Sequence, residues 1–269
     1  MTIRAGVAGR PIGHSLSPAI HGAWIEAAGL DAHYGAHEPV DEDAFVDLLR
    51  QGRSGALAGL NVTAPYKEAA LAAADQATET ARAVGAANLL LFRDGRIQAD
   101  STDGEGLMLA LAEQAPGLSV LGQAVVILGA GGAARAAAHA LAQAGAAVRI
   151  VNRTAQRAER LAADIGPAVI VSRSPEAFGD AVLVVNALSA PPDLDVGPLE
   201  TGTVVMDMTY RPLVTPLLAA AQARGLPTVD GLAMLIGQAR PSFRALFGVE
   251  PPPAVDVRAR ALSILGEAP

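Results

Sequence analysis

The sequence predicts an α/β fold, and three observations predict it. Strand-like apolar runs alternate with helical patterns, the order that builds parallel sheets with right-handed crossovers. One strand-to-helix junction is a glycine turn inside a clean βαβ unit. Ala and Gly dominate while aromatic residues make up only 3%, and small residues let helices lie close to a sheet. With 269 residues the chain can build one large or two medium domains, each with its own core.

The elements follow in order. Residues 3–9 read as a first strand. Ser17-Pro18 opens a helix through Ala28, closed by Gly29, because serine before proline is a good N-cap and N1 pair. Residues 34–37 are a second strand, and 41–49 a helix whose acidic first turn favours the helix dipole. A third strand spans 56–62, and helices span 67–74 and 78–84. Residues 88–92 and 96–99 flank Asp94-Gly95, a hairpin signal. After Asp103-Gly104 a helix runs to about Gln114, where Pro116-Gly117 breaks the pattern. The βαβ unit comes next: a strand at 125–128, a glycine turn, a long Ala-rich helix and a strand at 147–151. Further strands lie at 168–171, 182–185 and 203–206. Helices cover 216–223, 232–247 and 255–265, and Pro241 is expected to kink the second of them.

The same sequence excludes several classes of function. It has no cysteine, which excludes disulfides, cysteine nucleophiles and thiolate metal sites. No metal site is expected. The net charge is −7 at pH 7, and general nucleic-acid binding needs a broad basic face instead. A small anionic ligand needs only a few local cations and stays open. No apolar run is long enough to span a bilayer. Met1-Thr2-Ile3-Arg4 leads straight into a strand-like segment without the apolar stretch of a signal peptide. The expectation is a cytoplasmic protein with neither a membrane nor a nucleic acid as partner.

The strongest chemical signal is Gly129-Ala130-Gly131-Gly132-Ala133-Ala134. It fits G-x-G-x-x-A directly after an apolar strand and at the start of a helix. The first glycine makes the tight turn, the second lets the backbone reach a pyrophosphate, and the small last residue lets helix and strand pack closely. The helix N-terminus offers N–H groups and partial positive charge to phosphates. The end of the following strand selects the dinucleotide. NAD-binding folds carry Asp or Glu there for the ribose 2′-hydroxyl. Here the residues are Asn152, Arg153 and Thr154, with Arg157 beyond. Guanidinium pairs well with phosphate, so the predicted cofactor is NADP. The competing reading is that Arg157 and Arg160 merely pair with Glu159 and Asp164 on a solvated helix face.

Three polar clusters interrupt the apolar N-terminal region. One is Gly9-Arg10-Pro11-Ile12-Gly13-His14-Ser15-Leu16-Ser17-Pro18, with His21 beyond. Another is Asn61-Val62-Thr63-Ala64-Pro65-Tyr66-Lys67-Glu68. The third comprises Asn88 and Asp100-Ser101-Thr102-Asp103-Gly104. Two of them follow predicted strands, where α/β proteins gather ligand groups. Singly, each has a plainer explanation: Ser15, Ser17 and Asp103 as helix caps, Asn61 and Thr63 as turn residues, Lys67 as a solvated helix-start lysine. The case for a site rests on their occurring together.

These clusters resemble the successive signatures of the shikimate dehydrogenase family. So do Gly85-Ala86-Ala87-Asn88, the glycine turn with Arg135, Asn152-Arg153-Thr154, Asp207-Met208-Thr209-Tyr210 and Asp230-Gly231-Leu232 with Gln238. They stand in the family's order, with near-family spacing, over nearly the whole chain. The resemblance implies two α/β domains: residues 1–103 plus 238–269 binding substrate, and a Rossmann-like NADP domain at 104–237, with the active cleft between them. It implies reversible NADPH-dependent reduction of 3-dehydroshikimate to shikimate, with Lys67 and Asp103 in acid/base roles. Ser15 and Ser17 would bind the substrate carboxylate. Thr63, Asn88 and Gln238 would hold ring hydroxyls together with Asp103, with Tyr210 close by. Glu79, Met208 and Gly231 would serve the nicotinamide end of the cofactor. A homodimer is admitted.

The chemistry suits this set. Adding hydride to a ring ketone develops an alkoxide, which needs a nearby cation or proton donor. Lys67 supplies both. Leu89, Ser101 and Leu188 depart from the family's usual residues, the first two beside substrate contacts and Leu188 where the nicotinamide half is expected to pass. They leave open a paralogue acting on quinate or an aminated analogue. A non-catalytic sensor of NADP or shikimate is the alternative of a different class, against which the retention of both Lys67 and Asp103 argues.

Overall fold

The computed structural model describes residues 2–173 and 177–267. The chain forms two compact units, Met1–Thr102 with Gln238–Pro269, and Asp103–Gly237.

The first unit begins β1 (Ile3–Ala8), α1 (Ser17–Ala27), β2 (Ala32–His37), α2 (Glu42–Arg53), β3 (Gly59–Val62) and α3 (Lys67–Ala72). It continues with β4 (Gln76–Ala77), α4 (Glu79–Val84), β5 (Leu89–Arg93) and β6 (Arg96–Asp100). The six strands order as β2-β1-β3-β5-β6-β4. β1 is parallel to β2 and β3, whereas the predicted hairpin β5–β6 runs antiparallel and joins the sheet along β3. Asp94, at φ 51, and Gly95, at φ 72, turn that hairpin, both in the left-handed region a two-residue hairpin loop requires. Phe45, Leu48, Leu60, Leu90 and Ile97 form the core on one face. On the other, Trp24 of α1 packs against Phe243 with ring centroids 5.4 Å apart.

The second unit holds α5 (Asp103–Gln114), β7 (Ala124–Leu128), α6 (Gly132–Gln143), β8 (Ala147–Val151), α7 (Ala155–Ile165) and β9 (Val169–Val171). β10 (Ala181–Asn186), β11 (Val204–Asp207), α8 (Pro216–Ala223) and β12 (Thr228–Val229) complete its sheet and covering helices. The order is β12-β11-β10-β7-β8-β9 and every pair is parallel. β7 is buried along its whole length. Val125 and Ile127 face one core and Val126 and Leu128 the other, as a parallel strand covered on both sides must. From β7 the chain first adds strands on one side and later on the other, so β7 and β10 form the switch point at which doubly wound sheets bind ligands. α9 (Gly231–Phe247) and α10 (Val257–Leu265) end the fold, and α9 passes through Pro241 as one helix.

Three local readings need correction. Ser17 is not an N-cap: the helical backbone already begins at Leu16 (φ −85°, ψ −8°), which takes the cap position with no side-chain bond, whereas a capping serine needs an extended backbone. β4 and β12 escape sequence reading because two residues carry no alternation. Arg160 does not pair with Asp164, whose carboxylate is bonded to Arg135 at 2.7 Å.

Candidate active site

β1 and β3 run side by side with Ala8 opposite Val62, so the chain leaves both strands at the same sheet end. Their loops are joined there. The Thr63 N–H donates to the Ala8 carbonyl at 2.8 Å, and the Arg10 N–H to the Ala64 carbonyl at 3.0 Å. Gly9 permits this approach, since a Cβ on it would stand 2.2 Å from Thr63 Cγ2. The first loop leads through Ser15 to Ser17, whose N–H donates to Ser15 Oγ at 3.3 Å. The second carries Thr63 and leads to Lys67, the first residue of α3. Tyr66 anchors it by stacking on Phe45 at 4.7 Å and donating its hydroxyl to the Pro39 carbonyl at 2.8 Å.

Because β5 is antiparallel to β3, Asn88 enters its strand at this same end. The Asn88 carbonyl accepts from the Val62 N–H at 2.8 Å, and the Ala87 N–H donates to the Lys67 carbonyl at 2.9 Å. β6 returns antiparallel to β5 and delivers Thr102. Thus Ser15, Ser17, Thr63, Lys67 and Asn88 gather at one end of one sheet. Gln238 joins them from α9: Asn88 Nδ2 donates to Gln238 Oε1 at 3.2 Å and to Thr102 Oγ1 at 3.0 Å. Asn88 Oδ1 accepts from the Thr102 N–H at 2.7 Å. Asn88, Thr102 and Gln238 are all buried. Glu79 is not part of this network; it is the exposed first residue of α4, which Thr78 caps.

The second unit carries the remaining predicted residues. Asp103, buried, opens α5 directly after Thr102. After β7, Gly129 adopts φ 116°, a conformation that L side chains rarely adopt. A Cβ there would also press on Leu188 Cδ2 at 3.2 Å. Ala130 follows, and Gly131 takes the N-cap position of α6. A Cβ on Gly131 would meet nothing within 4 Å. Glycine has no capping side chain, so no side chain caps the first turn of α6, and helix N-termini of this kind suit anions. Ala134 is fully buried, the close helix contact expected of the motif's last position.

At the end of β8, Asn152, Arg153, Thr154 and Arg157 line a cavity of about 600 Å³ whose other wall is the segment from Leu188 to Leu194. Arg153 and Arg157 are exposed, and neither has an ion-pair partner among the described residues. Two guanidinium groups beside an open helix N-terminus suit a dinucleotide with an extra phosphate. Leu188 lies in this wall and close to Gly129. Further along, the buried Asp207 carboxylate accepts from Asn186 Nδ2 at 3.0 Å, the Thr209 N–H at 2.9 Å and Thr215 Oγ1 at 2.8 Å. It fixes the turn bearing Met208 and Tyr210. Gly231 packs on that turn so closely that a Cβ would stand 2.4 Å from the Met208 carbonyl oxygen.

Sequence reasoning missed the groups that hold these residues. Asn61, whose plainer single-residue reading is a turn although it stands in the strand expected at 56–62, is buried within β3, where it accepts from the Tyr34 hydroxyl at 2.8 Å and donates to Ser242 Oγ at 2.9 Å. The available signal is a serine standing four residues after Gln238 in an apolar helix, hence on the same face.

Residues 7–90 match the family described as the shikimate dehydrogenase substrate binding domain, and residues 110–193 match shikimate / quinate 5-dehydrogenase. The chain belongs to the shikimate dehydrogenase family. An NADP(+) shikimate dehydrogenase of Caulobacter vibrioides is 50% identical over 278 residues, covering 98% of this chain and 96% of that one. The crystal structure of a family member from Thermus thermophilus, in complex with NADP(H) and shikimate, is 37% identical with a TM-score of 0.86, covering 98% of this chain and 99% of that one. Quinate dehydrogenase from Corynebacterium glutamicum, in complex with NAD, is 30% identical with a TM-score of 0.87 over the same shares of the two chains. Structures with this fold thus include one in complex with NADP(H) and shikimate and a quinate dehydrogenase in complex with NAD. Among the described residues no group of three or more His, Asp or Glu side chains could hold a metal, and no helix is long and apolar enough to cross a membrane.

Proposed function

We propose that this protein catalyses the reversible reduction of 3-dehydroshikimate to shikimate with NADPH, as a cytoplasmic enzyme of the shikimate pathway. The observation that carries the proposal is the gathering of Ser15, Ser17, Thr63, Lys67 and Asn88 at one sheet end, in a chain half identical to an NADP(+) shikimate dehydrogenase. In this reading the first unit binds substrate and the second binds NADP. The Ser15 and Ser17 hydroxyls take the carboxylate. Thr63, Asn88, Gln238 and Tyr210 hold the ring. Gly129, Ala130, Gly131, Gly132 and Ala133 receive the pyrophosphate, and Asn152, Arg153, Thr154 and Arg157 the phosphorylated ribose. Glu79, Met208 and Gly231 serve the nicotinamide end.

NADPH held by the glycine turn and by Arg153 and Arg157 would supply hydride to the ring carbonyl carbon. Lys67 stabilises the developing alkoxide with its ammonium charge and donates the proton that completes the hydroxyl. In the reverse direction the neutral amine takes that proton back. Asp103 is the second acid/base residue of this reading.

The test is absorbance at the nicotinamide band, with shikimate or quinate paired in turn with NADP⁺ or NAD⁺. The expected result is the highest kcat/KM for shikimate with NADP⁺. A preference for quinate or NAD⁺ overturns the substrate or cofactor assignment, and turnover with none of the pairs overturns the enzymatic reading. A homodimer is part of the proposal, and sedimentation tests it.

A further inference from the structure

A polar chain runs behind the groups assigned to substrate. Ser242 is completely buried and lies one helical turn after Gln238 in α9. A hydroxyl has one proton, and that of Ser242 goes to the Gln238 carbonyl at 3.0 Å. Ser242 Oγ is therefore the acceptor for Asn61 Nδ2 at 2.9 Å. The other Asn61 amide hydrogen goes to the Asn88 carbonyl at 3.2 Å, and Asn61 Oδ1 receives the Tyr34 hydroxyl at 2.8 Å. The bonds run from Tyr34 through Asn61 and Ser242 to Gln238, and Ser242 Oγ also lies 3.4 Å from Thr102 Oγ1. Thr102 Oγ1 closes the circuit, lying 3.2 Å from the Gln238 carbonyl and 3.0 Å from Asn88 Nδ2. The turn of α9 that carries Gln238 is thereby fixed against the strands that carry Asn88.

We infer that Ser242 and Asn61 are positioning residues: by bonding the backbone carbonyls of Gln238 and Asn88 they fix the chain from which those two carboxamides reach the substrate's ring hydroxyls. This rests on the reading of those two residues as substrate groups. Neither Ser242 nor Asn61 exchanges a proton in the reaction, and neither belongs to the dinucleotide site. Loosening them weakens substrate binding and leaves the chemical step and the cofactor alone, which is the pattern of lost uniform binding.

The experiment is Ser242→Ala, with Ser242→Thr as the variant that keeps the hydroxyl. For Ser242→Ala the KM for shikimate is expected to rise about five- to tenfold, the worth of one buried hydrogen bond, with kcat and the KM for NADP⁺ within about twofold. Ser242→Thr should restore the shikimate KM. The side-chain amide NMR signals of Asn88 and Gln238 give a readout that needs no turnover: they should shift and exchange faster in Ser242→Ala. An inactive wild-type protein would defeat the functional reading alone, and those amide signals would then decide the inference. Unmoved amide signals with an unchanged shikimate KM overturn it. So does a parallel loss in both KM values and kcat with a lowered melting temperature, which marks a merely structural serine.

Discussion

His21 makes the first unit sensitive to acid. Its ring is wholly buried in α1, stacked on Tyr34 with centroids 4.0 Å apart and planes 3° from parallel. Trp24, Phe243 and Phe247 complete the surround, and neither imidazole nitrogen has a hydrogen-bond partner. Of these neighbours only Tyr34 titrates. Its hydroxyl is bonded to Asn61, and burial raises its pKa well above the ordinary value, so it stays neutral. Burial lowers the His21 pKa from 6.5 to about 3. The unfolded chain therefore takes up this proton near pH 6.5 while the folded chain resists until about pH 3. Stability is complete above pH 6.5 and is lost as pH falls through that window, by about 1.4 kcal/mol per pH unit. By pH 5 the loss is about 2 kcal/mol, and by pH 3 about 4 kcal/mol. His21→Phe keeps an aromatic ring and removes the titration. Trp24, the single tryptophan, lies 5.7 Å from the imidazole centroid and reports unfolding of this unit. Urea unfolding followed by its fluorescence at pH 7 and pH 5 should show a drop in stability about 2 kcal/mol smaller in His21→Phe than in the wild type. Equal drops in the two proteins would refute the assignment of that proton to His21.

Three further outcomes are expected. Lys67→Ala should lower kcat about 10²- to 10⁴-fold, the usual contribution of a positioned acid/base, with NADPH binding by fluorescence titration unchanged; near-normal turnover would remove Lys67 from the chemistry. Arg153→Glu should raise the KM for NADP⁺ about 10- to 100-fold through loss of a charge-assisted phosphate contact, with little effect on NAD⁺; equal effects on both cofactors would place the 2′-phosphate elsewhere. Gly129→Ala forces a side chain into φ 116° against Leu188 and should destabilise the second unit by about 1–3 kcal/mol, read as a lower melting temperature, together with weaker NADPH binding; an unchanged melting temperature would show that the turn relaxes at no cost.

What the sequence makes legible is what is local. The strand before Gly129 and the helix after it are adjacent in the chain, so the glycine turn reads as a unit with its mechanism attached. Asp41 and Thr78, expected as the first residues of their helices, prove to be the caps, each bonding an N–H three residues on. Ser17 misleads for the same reason in reverse: its neighbour Pro18 suits a first turn, but the loop from β1 brings Leu16 into helical geometry first. The two-residue strands β4 and β12 depend on partners far along the chain and have too few residues to show a pattern.

The polar frame of the candidate site is illegible for a related reason. Asn61 and Ser242 are 181 positions apart, and no spacing rule connects a strand near the N-terminus with a helix near the end. Read alone, Ser242 is an ordinary serine beside a helix-interior proline, and Asn61 a turn residue. Folding turns both into partners of Asn88 and Gln238, because an amide buried at the end of β3 must find an acceptor and the nearest is on α9. The family signatures thus mark two kinds of residue with equal weight. Lys67 and Arg153 present charge, whereas Asn61 and Asp207 use their polar atoms on the surrounding chain. Sequence pattern alone cannot separate these kinds. Counting each side chain's donors and acceptors against its neighbours does, and it ranks Asn61 and Asp207 as parts of the scaffold.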